Sequence, residues 1–231
     1  NLNCDGVLEE GRLLLCDAGG ETVNNYCSDH TRTYPVSGRF TEQQKEIYNI
    51  VLAAHDHVAR IVKPHMMYTE IHKAAYLTLA EGLIGVGLIK GTAADAVASG
   101  AMTMFMPQDW ATDWAWTYTT ARRWAAFVRL LDDRRACRQV GHLHLPRSLA
   151  HRAGHGADRR TGPLLHPGAD RQVPRRGLYK GIVDYDALEA YRNFGGIRIE
   201  DDILVTEEGS RILGDRKIPV TVEELEAVVG K

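Results

Sequence analysis

GRLLLCDAGGETVNNYCSDHTRTYPV, residues 11–36, opens with an apolar run that stops at Asp17. Turn-forming Asn24 and Asn25 follow, and then an alternating stretch that continues through Tyr34. Apolar run, turn and alternation together predict a strand, a hairpin and a second strand. Such a pairing brings Asp17 and Asp29 close to each other. Each carboxylate then takes a strand position where an apolar residue would ordinarily pack, and a buried carboxylate needs a partner. A divalent cation is a common one. For either aspartate taken alone, a turn position or a salt bridge is the better explanation.

Thr41 precedes EQQKEIYNIVLAAHDHVARIV, in which Ile47, Ile50, Val51, Ala54 and Val58 follow helical spacing, with the threonine as N-cap. Pro64 ends that helix. A second helix starts near Thr69, sets Ile71, Ala75, Leu79 and Leu83 on one face, and fades over Gly85–Gly87. Near the other end, GGIRIEDDILVTEEGSRIL alternates and then turns at Glu208–Gly209, the pattern of a β-hairpin. TVEELEAVVG reads as a short last helix capped by Thr221. Glu200 is a third carboxylate in a strand setting, although Asp201 and Asp202 beside it also fit a plain solvated acidic run. Of His30, His55, His57, His65 and His72, the last four lie on or beside predicted helices. His55, His57 and His72 read as surface or packed residues rather than ligands.

Composition excludes little. The 231 residues suffice for one large domain or two small ones, and 44% hydrophobic with 25% charged residues is ordinary for a globular protein. A net charge of −2 points to no particular partner. No apolar run is long enough to span a bilayer, so no membrane partner is expected. Cys4, Cys16, Cys27 and Cys137 have neither zinc spacing nor a disulfide-rich context, which suits reduced thiols in a cytoplasmic protein. The chain opens at NLNCDGVLEE without an initiator methionine or signal peptide, and reads as an N-terminally truncated domain.

A seam interrupts these averages. Residues 108–177 contain 13 Arg and all four Trp, but no Lys, Glu, Ile, Asn or Met. A nucleic-acid-binding insert, with Arg on phosphate and Trp on bases, is one reading; a disordered Arg-rich loop is another. Basic patches usually mix Lys with Arg, and disordered loops are poor in Trp, so the segment fits neither.

LLLCDAGGETVNNYCSDHTRTYPVSGRFTEQQKEIYNIVL and YRNFGGIRIEDDILVT resemble the Xaa-Pro aminopeptidase (aminopeptidase P) family of pita-bread metallopeptidases. The signatures are D-A-G, then S-D-x-T-R-T-[FY]-P-V-x-G-x-[FW], then G-[IV]-R-I-E-D. They cover residues 11–106 and 178–231, and the form of DHTRTYPV with GGIRIEDD favours this family over creatinase and methionine aminopeptidase. The resemblance implies an α/β (α+β) pita-bread fold and two divalent ions held by five side chains. Three of the five correspond to Asp17, which would chelate one ion, and to Asp29 and Glu200, which would bridge both. Oxygen-rich ligation with one imidazole suits Mn²⁺, with Co²⁺ and Zn²⁺ as alternatives. Arg198, two residues before Glu200 and on the same strand face, is placed to orient that carboxylate or the outgoing peptide. The remaining two ligands, the second His of H-G-x-G-H and the Glu of T-V-E-P-G, belong between MFMP and R-I-E-D. Neither motif is there, so the fold is expected to be incomplete in its second half.

The genetic code connects the two anomalies. Tryptophan has a single codon, so the bases under PQDWATDWAWTYTT, residues 107–120, are partly fixed. One extra base in codon 108 lets the stretch be reread as P-H-G-L-G-H-x-L-G-L-D-V-H-D. Two Leu, two Gly and one Asp of that string are forced, and the string is the family's missing motif. Thr112 then stands where the ligand His belongs, with two further family His at Gln108 and Thr119. In another frame AGHGADRRTGPLLHP permits, without forcing, P-G-M-V-x-T-V-E-P-G-L-Y-F-I, and a last slip near Gly177 restores the register.

Residues 1–231 are therefore expected to be a catalytic metallopeptidase domain with an out-of-frame segment at 108–177. The implied activity is release of the N-terminal residue from peptides with Pro in second position, lost in the chain as written. Its partner is a peptide rather than a nucleic acid, and a homo-oligomer is left open. The alternative is a non-catalytic pita-bread protein that binds peptide or a partner.

Overall fold

The computed structural model describes residues 7–21, 23, 27–106, 179–206 and 208–230. The turn at Asn24–Asn25 and the 108–177 segment with its four Trp lie outside the described residues.

Strand β1 (Leu13–Glu21) pairs antiparallel with β2 (Cys27–Pro35), in a register running from Leu13 opposite Pro35 to Glu21 opposite Cys27. This is the strand pair that residues 11–36 predict. Helix α1 (Glu42–Ile61) starts where expected: Thr41 accepts from the Gln44 N–H, and the Gln44 side chain accepts from the Thr41 N–H. That reciprocal box satisfies two donors that a helix start leaves without partners. The helix stops at Ile61, and Val62 is already extended, as suits a chain approaching Pro64.

Helix α2 (Tyr68–Gly85) packs along α1. Its predicted face of Ile71, Ala75, Leu79 and Leu83 is buried, as are Ile47, Val51, Ala54 and Val58 of α1. Gly82 permits the approach, since a methyl group built on it would sit 2.5 Å from Ile50 Cγ2. A short α3 (Ala93–Ala98) and a 3-10 turn (Ala101–Met104) follow.

The chain resumes at Tyr179 and leads through α4 (Tyr185–Glu189). Here it is tied to residues 88–90. Ile89 bridges Val183, the Lys90 N–H donates to the Ile182 carbonyl at 2.6 Å, and the Asp184 N–H donates to the Leu88 carbonyl at 3.0 Å. Lys90 and Asp184 pair at 2.8 Å. The Tyr185 hydroxyl lies 3.6 Å from Met104 Sδ.

The expected hairpin forms only as β3 (Ile203–Val205) with β4 (Ser210–Ile212). The residues before it depart from the prediction. Glu200 bridges Thr31, with both backbone bonds made, at 3.2 and 3.1 Å. This segment therefore joins β2 on the edge that β1 leaves free, because β2 offers it backbone partners there. Helix α5 (Val222–Val229), capped by Thr221 and Glu224, closes the domain against β2 and α1. Among the described residues no helix is long and apolar enough to cross a membrane.

Candidate metal centre

Antiparallel register decides which side chains meet. Asp17 lies opposite Thr31, and Thr31 lies opposite Glu200. Directly paired residues point to the same face of a sheet, so these three form a row across the strands. Asp29, two residues before Thr31, shares that face. The outcome is a cluster in which one ligand oxygen each from Asp17, Asp29 and Glu200 lie within 4.8 Å of one another. The three carboxylates named from sequence are thus brought together, although Glu200 is more than 170 residues away from the other two in the chain.

Their environments differ. Glu200 is buried at 3% exposure, as the sequence reading required. Asp17 departs from it, with its side chain 49% exposed among the described residues, because β1 is the edge strand and carries little over its outer face. Burial, the negative charge of Asp17 and a hydrogen bond to it, and the charge of Asp202 push the Asp29 carboxyl above its ordinary value, against an opposing pull from Arg198. A carboxylate held in this way binds a proton or a cation to relieve the repulsion.

Arg198 is the counter-charge. Its Nε lies 3.3 Å from Glu200 Oε1, and its Nη2 donates to Asp17 Oδ2. Nε also donates to Thr31 Oγ1 at 3.3 Å. The Thr31 hydroxyl in turn donates to Glu200 Oε2. Thr33 Oγ1 both accepts from the Arg198 N–H and donates to the Arg198 carbonyl, at 3.0 Å each. Thr31 escaped the sequence reading. A threonine on a strand is ordinary, and only its parity with Asp29 marks it.

The back of the same strands is also charged. Arg32 Nη2 donates to Asp201 Oδ1 at 2.7 Å, and His55 Nε2 of α1 lies 3.2 Å from Asp201 Oδ2. All three are buried, at 4%, 4% and 1% exposure. Asp201 and Asp202 are therefore not the solvated acidic run that their sequence suggested. Burial raises the Asp201 carboxyl, but His55 and Arg32 outweigh it and hold the group below its ordinary value. Burial likewise disfavours the His55 cation, and Asp201 and Asp56 outweigh that to raise it. For Asp202 burial prevails and the carboxyl is raised, even though the Asp29 N–H donates to it at 3.3 Å. His57 contacts Thr78 Oγ1 at 2.8 Å and stands apart from the acidic cluster.

Helices packed behind strands that present three carboxylates at one point fit the pita-bread class of fold. An Escherichia coli aminopeptidase P variant superposes with a TM-score of 0.61 at 25% identity, over 96% of this chain and 42% of that one. Pseudomonas aeruginosa aminopeptidase PepP gives 0.60 at 25% identity, over 98% of this chain and 43% of that one. The chain belongs to metallopeptidase family M24, which it matches over residues 2–207. Xaa-Pro aminopeptidase 1 of Streptomyces coelicolor is 34% identical over 209 residues, covering 90% of this chain and 36% of the relative. Xaa-Pro dipeptidase of Mus musculus is 31% identical over 228 residues, covering 96% and 43%. The chain therefore spans less than half the length of these relatives.

Proposed function

We propose that residues 1–231 are the metal-binding part of an Xaa-Pro aminopeptidase, a hydrolase that releases the residue preceding a proline. The convergence of Asp17, Asp29 and Glu200 supports this reading best. Among the described residues three carboxylates meet one guanidinium, and oxygen donors with an elevated Asp29 fit a hard divalent cation. Mn²⁺ is the ion assigned, in a cytoplasmic setting consistent with the free thiols of Cys16 and Cys27.

Asp17 would hold one ion, and Asp29 and Glu200 would be shared between two. When bound, the ions supply an activated water and polarise the scissile carbonyl. The chain's own contribution is orientation. The Thr31 hydroxyl fixes one oxygen of Glu200, and Arg198 fixes the other together with Asp17.

Residues 108–177 are, on this proposal, a displaced reading of the segment that carries the remaining His and Glu. With Thr112 at the His position, the chain as written binds a metal weakly and does not turn over substrate. The test compares this chain with a frame-restored, upstream-extended version, using Mn²⁺ titration and an Xaa-Pro peptide. Mn²⁺ binding by both, abolished by Glu200→Gln, with hydrolysis only by the restored version, is the expected result. Equal turnover by the unrepaired chain would overturn the ligand and frame assignments together. A restored version that binds peptide without hydrolysing it would favour a non-catalytic binding protein.

A further inference from the structure

Arg32 sits on the face of β2 opposite the acidic cluster, yet it touches the backbone on which that cluster is built. Its Nη1 donates to the Thr31 carbonyl at 2.9 Å and to the Glu200 carbonyl at 2.8 Å. Those two carbonyls are the acceptors of the bridge between Thr31 and Glu200. Arg32 therefore occupies the second lone pair of both acceptors and closes the bridge from behind. Its Nε donates to the Pro219 carbonyl at 2.8 Å, and its Nη2 to Asp201. One planar fork thus joins β2, the Glu200 segment and the approach to α5.

The bridge needs this support. Glu200 pairs with β2 through one isolated bridge rather than a ladder, and Ile203–Val205 leaves at once to pair with β4. A single bridge leaves the strand free to pivot. Beyond it, the contacts that oppose pivoting include Thr33 on the Arg198 backbone, the Asp29 N–H on Asp202, the Thr31 hydroxyl on Glu200 and the Arg32 fork, which alone reaches both carbonyls of the bridge. Asp201 compensates the buried guanidinium charge, and His55 anchors Asp201 to α1.

We infer that Arg32, held by Asp201 and His55, is a positioning residue that sets the Glu200 carboxylate against Asp17 and Asp29 and so tunes the affinity of the cluster for a divalent ion. This rests on the metal-binding reading above. Loss of an outer partner of a metal ligand typically lowers metal affinity 10–100-fold. Lysine keeps the charge but cannot form the fork.

The test measures Mn²⁺ affinity by calorimetry for the unmodified chain, Arg32→Lys, Asp201→Asn and Leu83→Ala, with circular dichroism and urea unfolding of each without metal. Leu83, buried in α2 at 0% exposure, reports stability loss remote from the site. The expected result is an affinity lowered at least 10-fold in Arg32→Lys and Asp201→Asn, and changed less than twofold in Leu83→Ala. Affinity within twofold of the unmodified chain in a folded Arg32→Lys or Asp201→Asn would overturn the inference, as would a parallel loss in Leu83→Ala. If the unmodified chain binds no Mn²⁺, the metal-binding reading fails. Hydrogen exchange of the unmodified, metal-free chain then decides the positioning role by itself. Thr31 and Glu200 amides protected as well as those of Ile47 and Leu79 support it, and exchange as fast as in the β3–β4 hairpin refutes it.

Discussion

The two faces of β2 carry charge under opposite conditions. On the back, Arg32 and His55 of helix α1 both meet Asp201, and His55 also meets Asp56, so each of these ionised groups faces an opposite one. On the front, Asp17, Asp29 and Glu200 share Arg198, and among the described residues acidic groups outnumber basic ones there. Buried charge that the chain balances serves the fold, whereas an excess of one sign is where the proposed function puts a bound cation.

The sharpest way to break this contrast is to remove one charge from each face. Asp201→Ala leaves the Arg32 guanidinium buried without its carboxylate, and should lower the unfolding free energy in urea by about 3–5 kcal/mol. Asp29→Asn should move it by less than about 1 kcal/mol, upward if at all, because the substitution relieves repulsion with Asp17. Its effect is on Mn²⁺ binding, which should be lost. A large loss of stability in Asp29→Asn, or a small one in Asp201→Ala, would reverse the roles of the two faces.

Acid titration gives a smaller but directional test in metal-free protein. Asp201 is held below the ordinary carboxylate value of 3.8, so its contribution is present above that value and lost as pH falls through its folded value. Asp29 is held above 3.8, so its contribution is present below that value and lost as pH rises through its folded value. Comparing pH–stability curves of Asp201→Asn and Asp29→Asn with the parent should show differences of opposite slope, below and above pH 3.8 respectively. Mn²⁺ should abolish the Asp29 difference, and two slopes of the same sign would refute the assignment.

Most of the helical layer was legible in the sequence, because α1 and α2 carry apolar residues at helical spacing and α1 has a capping box at its start. The β1–β2 pair was equally legible from its turn and alternation. Residues 195–213 misled. Alternation shows which residues share a face but not which strand will be the neighbour, and Glu200 left the local hairpin for Thr31. The three carboxylates could be named from the motifs that contain them. Arg32 and Asp201 could not, because charged residues on a strand ordinarily signal solvent. Their burial exists only once a strand 169 residues away completes the pair.

The ties between residues 88–90 and 182–184 have a consequence for the tolerance of the chain to rewriting. They bring the two ends of the intervening segment together using residues outside it, through a backbone bridge, an ion pair and the Tyr185–Met104 contact. If residues 108–177 are the displaced reading proposed above, these ties explain how two ligands can be lost while Asp17, Asp29 and Glu200 are still brought together.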